Sequence, residues 1–236
     1  MQAFVDNDMP ELKGPYSCEA AQAIREQVER SIREHATYDA LKRVLDSMFA
    51  LAALILLIPV YLAIALYVFI CDPHGSPVYK SVRCGQNGKP FVFYKFRTMY
   101  INAEQHLAAV AGLNEMDGPV FKVSNDPRII PKLRFLRETS MDELLQFIHV
   151  LTGQMAVVGP RPPLLHEAAR YGEYEQLRTA IKPGLTCYWQ VTPKRNNCTF
   201  DEWLEMDIRY IIERNLLIDA KLVMKTILVM LNREGR

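Results

Sequence analysis

The chain has 236 residues, half of them hydrophobic, with 28 Lys and Arg against 27 Asp and Glu and a net charge of +1. That is room for one ordinary domain with a real core plus added elements, and the near-neutral balance gives no general argument for a nucleic-acid partner. The five cysteines (Cys18, Cys71, Cys84, Cys187, Cys198) have no CxxC spacing and lie far from the histidines, which argues against a zinc centre or a disulfide framework and for reduced thiols.

Residues 1–16 are polar, interrupted by Pro10, Gly14 and Pro15, and read as a loose tail with no signal-peptide core. Ser17 is placed to cap a helix running to about His35. Ala20, Ile24, Val28, Ile32 and Ala36 recur along it at one spacing, a narrow stripe on a charged rod. The spacing predicts a surface helix docked on the protein or on a partner.

From Ser47 to Cys71 no residue is charged. At ~1.5 Å per residue one straight helix of this length would cross a hydrocarbon core of ~30 Å. Two features favour a helix that enters and leaves by one face. Pro59 stands at the midpoint, where it removes a backbone donor and crowds the preceding turn. Basic residues flank both ends, with Arg33, Lys42 and Arg43 before and Lys80, Arg83 and Lys89 after, and positive flanks mark the cytoplasmic side. A kinked spanning helix is the alternative.

Val78–Val82 and Phe91–Tyr94 are strand-like and flank Gly85-Gln86-Asn87-Gly88, whose Asn-Gly predicts a β-hairpin. The second strand runs into Lys95-Phe96-Arg97-Thr98-Met99. Lys95 and Arg97 share a face if the strand continues, either as phosphate contacts or as a solvated face. Residues 100–117 favour helix, and Asp117-Gly118-Pro119 and Asn125-Asp126-Pro127 are turns. Arg128, Lys132, Arg134 and Arg137 then make a local positive patch.

That patch leads to Thr139-Ser140-Met141-Asp142-Glu143-Leu144-Leu145-Gln146. Ser140 to Glu143 matches the S-x-x-E capping box, which would explain both acids as helix-start residues. The other reading is chemical. Adjacent carboxylates on a helix diverge by ~100° and can take complementary roles, Asp142 attacking phosphorus and Glu143 holding a divalent cation. Arg137 and Arg161 are suited to clamp phosphate oxygens bidentately, and Arg161 lies in Gly159-Pro160-Arg161-Pro162-Pro163, where fixed φ angles stiffen the loop. Further on, Lys182-Pro183-Gly184 is a turn, Thr192 to Asn197 a polar loop, and Thr199-Phe200-Asp201-Glu202 a second capping box opening a helix through about Arg214. A last helix from about Leu217 is rich in Leu, Ile, Val and Met. It fits either the core or a membrane surface.

Several motifs in order carry a family resemblance over residues 40–232. They are Lys42-Arg43 with Asp46 before the broken apolar helix, Arg83-Cys84-Gly85 through Gly88-Lys89-Pro90-Phe91, and Lys95-Phe96-Arg97-Thr98-Met99. After them come Asp126-Pro127-Arg128, Leu136-Arg137 with Thr139-Ser140-Met141-Asp142-Glu143-Leu144, Val158-Gly159-Pro160-Arg161-Pro162, Lys182-Pro183-Gly184-Leu185-Thr186 and Trp189-Gln190-Val191. With these the chain resembles the bacterial sugar transferases, the monotopic phosphoglycosyl transferases. It departs from them at Leu145, where the family has proline, and at Thr192-Pro193-Lys194-Arg195. It also shows no counterpart of the membrane domain that precedes this module in longer relatives.

The resemblance implies transfer of a sugar 1-phosphate from a nucleotide (UDP-) sugar to polyprenyl (undecaprenyl) phosphate at the cytoplasmic face of the bacterial inner membrane, with release of UMP. It implies an aspartyl-phosphosugar intermediate on Asp142, Mg²⁺ held with the help of Glu143, and a re-entrant helix; with the residue readings above, Arg137, Arg161, Lys95 and Arg97 are the expected substrate contacts and Pro59 the helix break. It does not specify the sugar or the oligomeric state. The expected fold is α+β: a mainly helical cytoplasmic domain (73–236) with a small β-hairpin, anchored by a proline-broken re-entrant membrane helix (39–72), behind a tail and surface helix (1–38). The expected partners are the nucleotide-sugar donor, the polyprenyl phosphate acceptor and membrane lipid. Two rivals predict otherwise: a non-enzymatic bitopic protein with a cytoplasmic interaction module, and a lipid-phosphate phosphatase.

Overall fold

In the computed structural model, which describes residues 18–123, 125–193 and 198–232, two long helices begin the described chain. The Ser17 cap, the tail and the Lys194–Asn197 part of the polar loop lie outside those residues. Helix α1 (Cys18–Glu34) and α2 (Ala36–Leu56) are interrupted only at His35. The predicted stripe is the face that α1 buries. Ile24, Val28 and Ile32 pack against Leu204, Ile208 and Ile211 of a later helix spanning Phe200–Glu213.

Helix α2 starts well before the uncharged stretch, and its first turns are fastened to the body of the protein. Lys42 Nζ lies 2.7 Å from Asp219 Oδ2, and Arg43 donates to the carbonyls of Val150 (2.5 Å) and Leu151 (2.9 Å). Asp46 accepts the main-chain N–H of Val157 at 3.1 Å. Lys42 and Arg43, expected as a basic flank, are therefore spent on tertiary contacts. The chain then turns at Leu57 into α3 (Ile58–Cys71), bent by 60° from α2. Pro59 sits in the first turn of α3, where its missing N–H is one of the unsatisfied donors anyway and its fixed φ suits the helix start. Among the described residues no single helix is long and apolar enough to cross a membrane; α2 and α3 qualify only as a bent pair. That pair leaves Met48, Leu51, Leu56, Leu62, Leu66 and Ile70 exposed.

Strands β1 (Val78–Cys84) and β2 (Pro90–Phe96) form the expected antiparallel hairpin, in register from Val78 opposite Phe96 to Cys84 opposite Pro90. Asn87 and Gly88 take positive φ (55° and 72°), as Asn-Gly turns require. The helix expected over 100–117 reduces to one turn, α4 (Leu107–Val110). Asn102 is left-handed (φ 68°). Asn114 turns its side chain onto the local backbone, accepting from Lys122 N at 2.8 Å and donating to Met116 O at 2.8 Å. Such side chains compete with the helical ladder.

Next come α5 (Arg134–Glu138), a 3-10 helix over Met141–Gln146, α6 (Phe147–Thr152) and β3 (Ala156–Val158). After these the chain forms α7 (Leu165–Ala168), α8 (Glu173–Gln176), β4 (Gly184–Thr186), α9 (Phe200–Glu213) and α10 (Leu216–Leu231). Strands β3 and β4 pair in parallel, Ala156 with Gly184 and Val158 with Thr186, a second small sheet that the sequence did not lead us to expect. Three residues are too short to show alternation. Gly184 and Gly159 mark its tightest point, since a Cβ on Gly184 would overlap Gly159 N and one on Gly159 would lie 2.5 Å from the Lys182 carbonyl oxygen. The second capping box forms as expected: Glu202 N donates to Thr199 Oγ1 (3.2 Å) and Thr199 N to Glu202 Oε2 (2.8 Å).

The main core joins β2, α6, β3, α9 and α10 through Phe91, Phe93, Val150, Met155, Val158, Tyr210 and Leu222. A second cluster stacks Trp189 on Trp203, ring centroids 4.1 Å apart, beside a buried ion pair between Arg178 and Asp207 at 2.6 Å. A third puts Ile64 and Val68 of α3 on Phe96, Leu133 and Leu136, with Met141, Leu144 and Leu145 alongside. The fold is thus mainly helical with a small hairpin. The helix beyond the bend lies over the segment carrying the acid pair.

Candidate active site

The acid pair is not a capping box. Helix α5 ends at Thr139, and Ser140 takes a left-handed conformation (φ 55°, ψ 19°) with no side-chain cap bond. Its carbonyl, rather than its hydroxyl, accepts the Glu143 N–H at 3.2 Å. The acids stand on a 3-10 helix, in which neighbours diverge by roughly 120°. Asp142 turns inward and is 5% exposed, while a quarter of the Glu143 side chain (25%) is exposed.

Strand β2 packs on this 3-10 helix and brings Lys95 to Asp142. A histidine secures the contact. His149 of α6 stacks on Phe93 and Tyr94, with centroids 5.8 and 5.0 Å away, and its Nε2 accepts the Tyr94 N–H at 3.0 Å. Nδ1 therefore carries the proton and donates to Gln154 Oε1 at 3.0 Å. Burial lowers the His149 pKa, in keeping with this neutral tautomer. Arg137 enters from α5, and Arg161 from the Pro160–Pro163 segment, its Nη1 3.9 Å from Glu143 Oε1. Leu145, where the family has proline, is half-buried against the cluster under α3.

The electrostatics arise from this crowding. Burial, then the neighbouring Glu143 carboxylate, pushes the Asp142 carboxyl up to about 6, against the opposing pull of Lys95 and Arg137. Burial and the Arg137 charge push Lys95 down to about 8. A fourth cation, Arg83 of β1, was not among the sequence-predicted site residues. Its guanidinium lies over the Phe93 ring at 4.7 Å and donates to the Pro162 carbonyl at 2.6 Å. Burial, then Arg161, pushes it down to about 10. The signal in the sequence was its place in Arg83-Cys84-Gly85, which carried no role by itself.

Arg97 makes its hydrogen bonds elsewhere, with the loop after α3. Its guanidinium binds the Asp72 carboxylate (2.5 Å) and carbonyl (2.7 Å) and the Ser76 carbonyl (2.7 Å), so its donors are taken up by the loop after α3. The strand ends at Phe96, which also removes the shared face with Lys95. Of the predicted residues the structure brings together Lys95, Arg137, Asp142, Glu143 and Arg161. Pro59 stands apart, at the helix bend.

Arg83, Lys95, Arg137 and Arg161 outnumber Asp142 and Glu143, and Arg83 Nε and Arg137 Nη1 are buried without a hydrogen-bond partner among the described residues. Buried donors without acceptors are rare, and here they sit in a net positive cluster suited to an oxyanion. Among the described residues no three His, Cys, Asp or Glu side chains converge as a ready-made metal cage. The partly exposed Glu143 carboxylate fits Mg²⁺, which typically takes one or two carboxylates and completes its shell with phosphate oxygens and water.

Comparison with known proteins places the chain in a family. The bacterial sugar transferase family model matches residues 37–233. The galactosyl transferase CpsE of Streptococcus agalactiae is 40% identical over 194 residues, covering 82% of this chain and 43% of that protein. The undecaprenyl-phosphate galactose phosphotransferase of Salmonella typhimurium is 37% identical over 202 residues, 83% of this chain and 41% of that protein. The exopolysaccharide production protein ExoY of Rhizobium meliloti is 35% identical over 190 residues, 79% of this chain and 83% of that protein. The chain belongs to the bacterial sugar transferase family. It spans less than half the length of CpsE and of the Salmonella enzyme, and most of the length of ExoY.

Proposed function

We propose that the protein transfers a sugar 1-phosphate from a UDP-sugar to undecaprenyl phosphate, and so starts assembly of a bacterial surface glycan or exopolysaccharide. The observation that carries this reading is a buried Asp142 flanked by Lys95 and Arg137, beside a Glu143 near Arg161 and Arg83, with unpartnered buried donors on Arg83 and Arg137. An aspartate raised to about 6 is anionic at neutral pH yet poorly solvated, which suits a nucleophile. A diphosphate is the anion that such a cation surplus can neutralise, so that one anion can attack another.

The chemistry runs in two displacements. Asp142 Oδ forms a bond to the phosphorus bearing the sugar, the bond from that phosphorus to the bridging oxygen breaks, and the electron pair leaves with UMP. A phosphate oxygen of undecaprenyl phosphate then attacks the same phosphorus, the aspartyl–phosphorus bond breaks, and Asp142 is regenerated as a carboxylate. Arg137 and Arg161 hold diphosphate oxygens, and Lys95 screens Asp142. Glu143 would hold Mg²⁺ together with the donor phosphates, and the bound ion neutralises diphosphate charge.

The membrane geometry fits this chemistry. Helix α2 is fastened to the body by Lys42, Arg43 and Asp46, and the exit of α3 by Asp72 to Arg97. Both ends of the apolar pair therefore join the same body, as a re-entrant element on the cytoplasmic face requires. Helix α3 packs on Met141, Leu144 and Leu145, and in a re-entrant arrangement this would set the dyad close under the lipid-facing surface, where a lipid-linked phosphate lies. A bitopic interaction protein would need the two ends on opposite sides.

The test is nucleoside monophosphate release from a panel of UDP-sugars, with and without undecaprenyl phosphate and Mg²⁺. UMP release with one or a few sugars, and a lipid-linked product when acceptor is present, supports the reading. Release of inorganic phosphate from the lipid alone would assign a phosphatase instead.

A further inference from the structure

We propose that Arg83 is a positioning residue: it holds the Pro160–Pro163 segment, and through it the Arg161 guanidinium, against the Asp142–Glu143 pair. The inference rests on the reading above that this cluster takes a diphosphate.

The segment that carries Arg161 cannot fasten itself. Pro160, Pro162 and Pro163 have no N–H, so at these positions the main chain can be held only by its carbonyls. Each is met by an outside donor: Pro160 O by Gly184 N at 2.9 Å, Pro163 O by Cys84 N at 2.9 Å, and Pro162 O by Arg83 Nη1 at 2.6 Å. Arg83 is the side chain among these three, and it acts on the residue next to Arg161. A main-chain bridge between Arg83 and Leu164 lays β1 along the same segment.

The guanidinium is also indexed to the dyad. It stacks over Phe93, Phe93 stacks on His149 with planes 14° apart, and His149 stands on the helix that continues from the Asp142 segment. The loop carrying the clamp and the helix carrying the dyad are thus referred to one stack. A neutral donor would suffice to hold one carbonyl. Burying a full cation at 8% exposure beside Arg161 is costly, and the Glu167 and Glu143 carboxylates offset only part of that cost. What a neutral donor lacks is a planar fork that both stacks on Phe93 and donates to the Pro162 carbonyl, and lysine lacks it too.

The test uses the full chain in detergent or lipid nanodiscs, with Mg²⁺ and inorganic pyrophosphate as the probe and calorimetry as the readout. Arg83→Met should weaken pyrophosphate binding about tenfold or more. Because Arg83 acts through Arg161, the same change in an Arg161→Met background should cost less than about twofold. In turnover, Arg83→Met should raise the KM for the sugar nucleotide much more than it lowers kcat. If Arg83→Met does not fold, Arg83→Lys carries the same pair of measurements, since it keeps the charge and loses the fixed geometry. Unchanged binding, or an equal loss in both backgrounds, overturns the positioning role while leaving the diphosphate site standing. A folded wild-type protein that binds no pyrophosphate overturns both.

Discussion

Arg97 binds Asp72 twice, through the carboxylate at 2.5 Å and the main-chain carbonyl at 2.7 Å, and so ties the exit of the apolar helix pair to the end of the hairpin. The contact holds Asp72 below the usual carboxylate range, first through the Arg97 hydrogen bonds. Arg97→Met should therefore act as a structural change. It removes a network of charge-assisted bonds worth roughly 1–3 kcal/mol and should lower Tm accordingly. The KM for sugar nucleotide in the fraction that stays folded should be unchanged. A rise in KM with no loss of Tm would return Arg97 to the substrate site.

The same tie, with Lys42 to Asp219 at the entry, predicts the topology. Single cysteines at Ala36 and Ser76, in a background lacking the native thiols, should both resist an impermeant thiol reagent in intact cells and both react after the membrane is opened. Reaction of one and not the other in intact cells means the bent pair spans the bilayer.

Arg178 and Asp207 form an ion pair with side chains 2% and 1% exposed, roofed by Tyr171, Phe200 and Trp203. Removing one partner leaves a buried charge alone, which typically costs about 3–5 kcal/mol. Arg178→Met should reduce stability on that scale in denaturant titrations. The double change Arg178→Met with Asp207→Leu should recover much of the loss, because the stranded charge is gone.

The raised Asp142 pKa makes two opposite demands on pH. Activity needs the carboxylate, so kcat/KM should rise as pH increases through about 6. Stability runs the other way. A folded-state pKa above the unfolded value contributes stability that is complete below about 4 and lost as pH rises through about 6. Asp142→Asn should accordingly be more stable than the wild type at pH 8, by an amount on the order of 3 kcal/mol at most, and the gap should close towards pH 4. A variant that melts lower than the wild type at pH 8 would mean that the carboxylate is a net stabilising contact.

Much of this molecule could be read from the chain because the determining signals are local. The α1 stripe, the Asn-Gly hairpin, the Thr199 capping box and the break before Pro59 each depend on a few neighbouring residues. The failures at the site share one cause. Ser140 and Thr199 open the same S/T-x-x-E pattern, yet only Thr199 caps a helix, because Ser140 leaves α5 in a left-handed turn. Arg97 and Lys95 look equivalent on paper. Asp72, far back in the chain, claims one and leaves the other to Asp142. Arg83 gains its place only when a proline segment distant in sequence needs a donor. These are tertiary assignments, and no local pattern encodes them.

The most direct test of the central claim is to give the wild-type protein its UDP-sugar and Mg²⁺ without acceptor lipid, quench it, and map the digest by mass spectrometry. The account predicts a sugar-phosphate adduct on the peptide containing Asp142, absent from a folded Asp142→Asn variant and discharged when undecaprenyl phosphate is added. An Asp142→Asn protein that folds and turns over at the wild-type rate, or an adduct on any other residue, would contradict it.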